Sequence, residues 1–539
     1  MHPPSTAGFL DATDWVVISV YLVGMIALGA WFRRGQKNTR DYFLGNRSVP
    51  WWGIGLSIVA AETSALTIIG VPAMSYGGSM LFIQMIFGYV IARVILAIVL
   101  VPHYFRGEIY SPYELFGNTF GPPARQMAGG MFLLSETLAA GVRVYVACIP
   151  VQLMLGVPVV PALVLFIGLS LIYTYLGGVK AVIWTDAVQF GLFLLGGLFT
   201  ILYIAFQMDD GFQGIMHDAQ AAGKLTWLQT NLHILHEGGF TKFLRATLAA
   251  PFNLWMGLLG GTVMVLSSHG ADQLVVQRVL ACRQVADGRK ALVLSAVVIF
   301  PLFVVFLLAG AMLWVYYQRF PMAIPIPEVR PGIKANDFVF PIFMLTAVPH
   351  LLRGFLIVAV LAAAMSSVSS ALTSLSSVST MDFFRHMVRG RSEEFYLRFS
   401  RYSTIVWAAG LGIVAYLSRE VTFVLNAAFS LRGLTSGALL GGLCLAVFWK
   451  KGRATPVVVG MGCAVVTMAA IQLLPHYSGT HEMWTKRVGG EIFWPWFTLI
   501  GALVTLGVAF LLRPFLGRPE TTTPDLGSAS LQSATSNGR

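Results

Sequence analysis

Ser57-Ile-Val-Ala-Ala-Glu-Thr-Ser-Ala-Leu-Thr-Ile-Ile-Gly-Val-Pro-Ala73 is an apolar run broken near its middle by Glu62, Thr63, Ser64 and Thr67, with Gly70 and Pro72 close behind. It belongs to a longer apolar stretch, 50–75, which at 1.5 Å per residue is long enough to cross about 30 Å of hydrocarbon. A helix that unwinds at such a point frees backbone carbonyls, and lipid offers them no partner. Sodium, a hard cation suited to carbonyl and hydroxyl oxygens, fits that opening. A kinked structural helix is the other reading.

The rest of the chain has the same character. Its 539 residues are 56% apolar and 11% charged, against roughly 25% charge in soluble domains. Too few charges are present to clothe several soluble cores. Apolar runs of membrane-spanning length recur from Asp11 to Pro514, and the ten-residue alternation of a membrane barrel is absent. The reading is therefore an all-α integral membrane protein. A formal charge of +12 is scattered between the apolar runs and offers no nucleic-acid face. Cys148, Cys282, Cys444 and Cys463 are too dispersed for a metal pattern or a disulfide framework. Residues 1–10 lack the basic region of a cleavable signal, so the first span is expected to be retained.

Thirteen spans are predicted, at 13–32, 50–75, 80–103, 126–150, 157–176, 184–207, 247–270, 289–317, 354–380, 400–418, 422–448, 455–474 and 492–512. With the N-terminus outside, 23 Lys and Arg face the cytoplasm and nine the opposite side, which favours N-outside, C-inside. Spans two to six and seven to eleven form two five-helix sets of opposite orientation, the arithmetic that inverted repeats require. The implied organisation is an N-terminal external end, first helix and loop (1–47), a first repeat (48–207), an outer loop (208–246) and a second repeat (247–448). Two peripheral helices (449–515) and an unstructured tail (516–539) complete it.

Ala362-Ala-Ala-Met-Ser-Ser-Val-Ser-Ser-Ala-Leu-Thr-Ser-Leu-Ser-Ser-Val-Ser-Thr-Met-Asp382 sets Ser366, Ser367, Ser370, Thr373, Ser374 and Ser377 along one helix face. Small residues allow close packing and their hydroxyls can bond back to the preceding turn, but so many oxygens on one face also suit a cation-linked path. Asp186, at the start of the sixth span, either caps its helix or reaches this seam. Glu62 lies deeper, leaving substrate binding, proton coupling or a local ion pair open. Arg143 suits a carboxylate or a lipid headgroup, Arg432 requires a polar partner in mid-span, and Asp272 with Arg278, at the inner end of the seventh span, is read either as a routine helix terminus or as a gate pair.

These motifs resemble the sodium:solute symporter family, which includes sugar, proline, sialic-acid, monocarboxylate, vitamin and iodide carriers. The resemblance runs over about 12–515. It rests on Asp41-Tyr-Phe-Leu-Gly-Asn-Arg47, Gly177-Gly-Val-Lys-Ala-Val-Ile-Trp-Thr-Asp-Ala-Val-Gln189, Asp272-Gln-Leu-Val-Val-Gln-Arg278 and Ala362-Ala-Ala-Met-Ser-Ser-Val-Ser-Ser370. It implies a LeuT-like core of two inverted five-helix repeats. It also implies a sodium site at Ala60, Thr63, Ala363, Ser366 and Ser367, and, as in some members, a second at Asp186, Ser366, Ser369 and Ser370. Ser64 and Thr67 match polar substrate positions of sialic-acid carriers, and Phe82 and Ile86 carry over as the opposite wall. Glu62 replaces a neutral polar residue there, which argues against sialic acid and leaves a small polar organic solute.

The resulting expectation is sodium-coupled symport by alternating access in the plasma or inner membrane, with no covalent catalysis. Sodium (one ion or two), the solute and membrane lipid are the partners. A proton-coupled carrier or uniporter, motivated by Glu62, and a non-transporting sodium or solute receptor are the alternatives.

Overall fold

A computed structural model describes residues 10–33, 38–107, 109–330, 333–420, 424–449, 452–488 and 490–515. The tail expected to be unstructured, the first nine residues and the loop cations Arg34, Lys37, Lys450, Lys451, Arg518 and Arg539 lie outside them. Apart from a two-residue-wide antiparallel pairing of Glu328–Arg330 with Ile333–Lys334, the described secondary structure is helical.

Nine helices among the described residues are long and apolar enough to cross a membrane, and ten if Trp51–Glu62 and Thr67–Gly77, bent by 61°, make one span. That is an all-α multi-pass membrane architecture, but the count falls short of thirteen. The stretch Val159–Gln207 counts once although its backbone breaks at Gly178 (φ 57, ψ −163). Only glycine tolerates that conformation readily. The polar first half of Glu393–Leu417 and the shortness of Thr262–Gly270 also keep those two helices out of the tally.

Helix exposure sorts the bundle. Only 17% of the apolar window in the first helix, Ala12–Phe32, is buried, so it rides on the periphery, whereas 94% of the Leu352–Met387 window is enclosed by protein. A helix apolar or small on every face belongs in the middle. Where Ile83–Val99 crosses the helix beginning near Leu254, the backbones touch: a Cβ on Gly88 would lie 2.2 Å from Gly257 O, and one on Gly257 2.1 Å from Gln84 O. Glycines let membrane helices approach this closely.

The seventh span differs from expectation in a way that matters for the site. It does not stop at residue 270. A π-helical turn at Met256–Gly261 leads into Thr262–Gly270, the chain breaks at Ala271 and Asp272, and helix resumes as Gln273–Leu280. Asp272 thus stands between two helical segments, and the chain goes on as helix beyond it. Arg278 is 2% exposed, enclosed by protein rather than carried on a loop.

The segment read as an outer loop, 208–246, holds the helix Gly211–Ala221 and most of Leu232–Ala249. Arg319 clamps the first through Asp210 (2.7 and 2.8 Å) and Asp218 (2.6 Å). Lys224 Nζ donates to Tyr76 O at 2.6 Å, tying the same loop to the C-terminal end of Val71–Gly77.

Candidate functional site

The second span breaks earlier than its Gly70 and Pro72 suggest. Trp51–Glu62 ends because Thr63 leaves helical geometry (φ −81, ψ 93). A π-helical turn at Leu66–Gly70 then restores the helix, and Pro72 falls in the first turn of Val71–Gly77, where a missing amide costs little. The Thr63 hydroxyl is buried without a hydrogen-bond partner. Ala60, Thr63, Ala363, Ser366 and Ser367 are all buried, on two helices that pack against each other. Several hydroxyls of the seryl helix, Leu352–Val378, bond to their own backbone: Ser367 Oγ to Ala363 O (3.1 Å), Ser369 Oγ to Ser366 O (2.9 Å) and Ser370 Oγ to Ser366 O (2.6 Å). Ser366 is turned outward instead, donating to Asp186 Oδ1 at 2.5 Å.

Asp186 is not an exposed cap. It is fully buried and also accepts from Ser57 Oγ at 2.5 Å and Arg278 Nη2 at 2.9 Å. The polar face of the seryl helix meets the segment after the second break turn by turn. Gln273 Nε2 donates to Ser377 Oγ (3.1 Å), Ser374 Oγ to Gln277 Oε1 (3.4 Å), and Arg278 contacts Ser370 Oγ. The sequence displays both motifs but not their antiparallel register, which only the tertiary fold supplies.

Beside the first break lies a cavity of about 100 Å³. Glu62, Ser64 and Thr67 line it, with Tyr89, Phe303 and Arg143 among the other walls. Phe82 and Ile86 are absent from the lining. Phe82 is held in an aromatic cluster by Phe252 and Phe303, with centroids 4.9 and 5.6 Å away, and Ile86 is fully buried. Tyr89, farther along the same helix, takes the wall position instead.

Ion pairs surround the cavity. Glu62 contacts Arg93, and His269 Nε2 lies 3.1 Å from Arg93 Nη2 and 3.5 Å from Glu62 Oε2. On the other side of the ring, His269 Nδ1 lies 2.9 Å from Ser268 Oγ. Arg143 Nη2 donates to Glu136 Oε1 at 2.6 Å. Arg432 contacts Asp272 and stands 3.4 Å from Glu136. Of the two readings of Asp272 and Arg278, the gate pair is not formed and the helix terminus is what the structure has. Asp272 caps Gln273–Leu280 by accepting from Leu274 N at 2.9 Å and pairs with Arg432, while Arg278, beyond the break, faces Asp186. Three arginines against three carboxylates leave the formal charges of these pairs balanced, as a low-dielectric setting demands. Sequence reading passed over Glu136, Arg93 and His269 as partners. An ionisable residue inside an apolar run was the signal available.

The sequence pattern of the sodium:solute symporter family matches residues 42–462. The chain is similar to the sodium/sialic acid symporter SiaT of Proteus mirabilis (strain HI4320), with 29% identity covering 86% of this chain and 89% of that protein. It is also similar to the human sodium/iodide cotransporter, with 24% identity covering 84% of this chain and 68% of that one. Among solved structures, the substrate-bound outward-open state of a Na+-coupled sialic acid symporter superposes with a TM-score of 0.80 at 25% identity, over 95% of this chain and 99% of that one. The nucleobase-cation symporter Mhp1, closed on bromovinylhydantoin, gives 0.54 at 14% identity over 88% and 93%, a likeness of fold alone.

Proposed function

The chain belongs to the sodium:solute symporter family, and from that membership we propose which of its residues carry sodium and solute. It is a multi-pass membrane transporter with a LeuT-like fold that couples sodium to a small polar organic solute by alternating access; it is not an enzyme.

Sodium binds first between Ala60, Thr63, Ala363, Ser366 and Ser367. The observation that carries this reading is the break at Thr63, with its buried unpartnered hydroxyl, on a helix packed against the seryl helix. A second sodium ion is assigned to Asp186, Ser366, Ser369 and Ser370. The solute occupies the adjoining cavity against Glu62, Ser64 and Thr67, with Tyr89 and Phe303 as its apolar walls and Arg143 as the group for a carboxylate. Neutralisation of Glu62 by Arg93 removes the repulsion that an unpaired carboxylate would impose on an acidic solute. Sodium joining the two helices orders Ser64 and Thr67, shifting the population toward closure outside. An inward-negative potential adds about 2.3 kcal/mol per charge per 100 mV.

The wider assignments are that Val159–Gln207 forms two spans about Gly178, that thirteen spans cross the membrane, and that repeats occupy 48–207 and 247–448. The breaks in the first helix of each repeat support this arrangement. The N-terminus lies outside and the C-terminus in the cytoplasm, by the bias in basic residues. Gln220→Cys, on an exposed helix face, is then labelled from outside intact cells.

Uptake of a solute panel into proteoliposomes, with the sodium gradient imposed or dissipated at fixed voltage and pH, tests the function. Gradient-dependent accumulation of at least one polar solute is the expected result, and uptake indifferent to sodium but driven by a proton gradient overturns it.

A further inference from the structure

Arg278 occupies an unusual place. Its Nη2 lies 2.9 Å from Asp186 Oδ2, its Nε donates to Ser57 Oγ at 2.8 Å, and it contacts Ser370 Oγ. Ser57, Asp186, Ser366 and Ser370 are at most 1% exposed and Arg278 is 2% exposed. The guanidinium therefore already satisfies the carboxylate and one hydroxyl assigned above to a second sodium ion, and Ser366 donates to that carboxylate's other oxygen.

Guanidinium and sodium each carry one positive charge. In an enclosed low-dielectric site one carboxylate compensates one of them, and a second cation beside it bears an uncompensated cost. We propose that Arg278 is a tethered cation holding the place of the second sodium ion at Asp186, and that the two exchange there. The proposal rests on the reading of Asp186, Ser366, Ser369 and Ser370 as sodium ligands. The fork of an arginine suits the task because it spans Asp186, Ser57 and Ser370 at once, which a point-charged lysine cannot do.

The exchange has a mechanical result. Arg278 joins Gln273–Leu280 to both Trp51–Glu62, through Ser57, and the seryl helix, through Ser370. A sodium ion that displaces it unties those three helices on the side of the site away from the cavity, so ion binding and release of the inner closure become one event.

Equilibrium binding of radioactive sodium to the full chain in nanodiscs, counted as ions per chain, tests this with Arg278→Gln, Ser57→Ala and the double variant Asp186→Asn/Arg278→Gln. Removing the tether is expected to tighten the second ion by about tenfold or more, equivalent to at least about 1.4 kcal/mol. Ser57→Ala, which loosens the arginine and also frees Asp186 Oδ2 of one hydroxyl donor, shifts it the same way by a smaller factor, and the double variant loses the second ion while keeping the first. A second-ion affinity unchanged or weakened in Arg278→Gln overturns the tether while leaving the two-sodium reading intact. If neither the unaltered chain nor Arg278→Gln ever exceeds one ion, the second-sodium reading itself fails and the exchange falls with it. Should Arg278→Gln fail to insert, Ser57→Ala decides: no tightening overturns the proposal.

Discussion

Glu62 and Asp272 hold corresponding places: each lies at the break of a discontinuous helix, and each is neutralised by an arginine from another helix, Arg93 for the first and Arg432 for the second. Each break exposes backbone that lipid cannot satisfy, and each carries a carboxylate that lipid would not tolerate unpaired. The two pairs flank the same cavity, so a disturbance of either pair is felt by a bound solute.

Removing the Ser366 and Ser367 hydroxyls together is expected to raise the half-saturating sodium concentration for uptake by about tenfold or more, the equivalent of about 1.4 kcal/mol per factor of ten. A sodium titration of transport by the double alanine variant, matched for membrane insertion, checks this. An unaltered titration would remove both residues from the sodium site.

Glu62→Gln leaves Arg93 buried without its counter-charge, a change that typically costs about 3 kcal/mol or more. The expected outcome is a lower unfolding temperature in detergent together with a solute preference shifted toward anions. Arg93→Gln in the same chain should recover part of the stability, because it removes the stranded charge. Additive losses in the double variant would contradict the pairing.

Gly257→Ala places a Cβ 2.1 Å from Gln84 O, closer than any relaxed packing allows, and neither backbone can yield without parting the helices. Loss of the monodisperse folded species by fluorescence-detected size exclusion is expected. Gly462→Ala, where a Cβ meets nothing within 4 Å, serves as the silent control.

The Arg319 clamp should respond to pH in one direction. Hydrogen bonds from Arg319 hold the Asp210 and Asp218 carboxyls below their ordinary value of 3.8. A depressed carboxylate contributes above its unfolded value and loses that contribution as pH falls through the folded one, so the clamp persists at neutrality and slackens only below about pH 4. Being exposed, it is also screened by salt. Hydrogen exchange of 211–221 should accelerate in acid, and Arg319→Ala should remove that acid response by freeing the helix at every pH.

Much of this protein is legible in its sequence because lipid leaves the chain few options. Apolar length reports spans, and polar groups stranded within them report the site, as Glu62, Thr63 and the serines from Ser366 to Ser377 do. What sequence leaves obscure is relational. Gly70 and Pro72 look like the natural place for a break, yet the helix yields at Thr63, because proline in the first turn of a new helix asks for no amide. Asp272 and Arg278 look like partners, yet one caps the helix that carries the other, and a six-residue spacing at 100° per residue turns them toward different neighbours. Arg93 and Glu136 are single letters in apolar runs whose meaning depends on what faces them.

The break at Ala271–Asp272 makes the following eight residues a short lever. Gln273–Leu280 is about 12 Å long, and its fulcrum is pinned by the Arg432 contact. A tilt of about 20° about that pivot carries the far tip roughly 4 Å, by the same helical rise. At Arg278, about 9 Å from the pivot, the same tilt gives roughly 3 Å, enough to part it from its partners while the bonds within the lever stay intact, so separating these helices requires no melting of secondary structure.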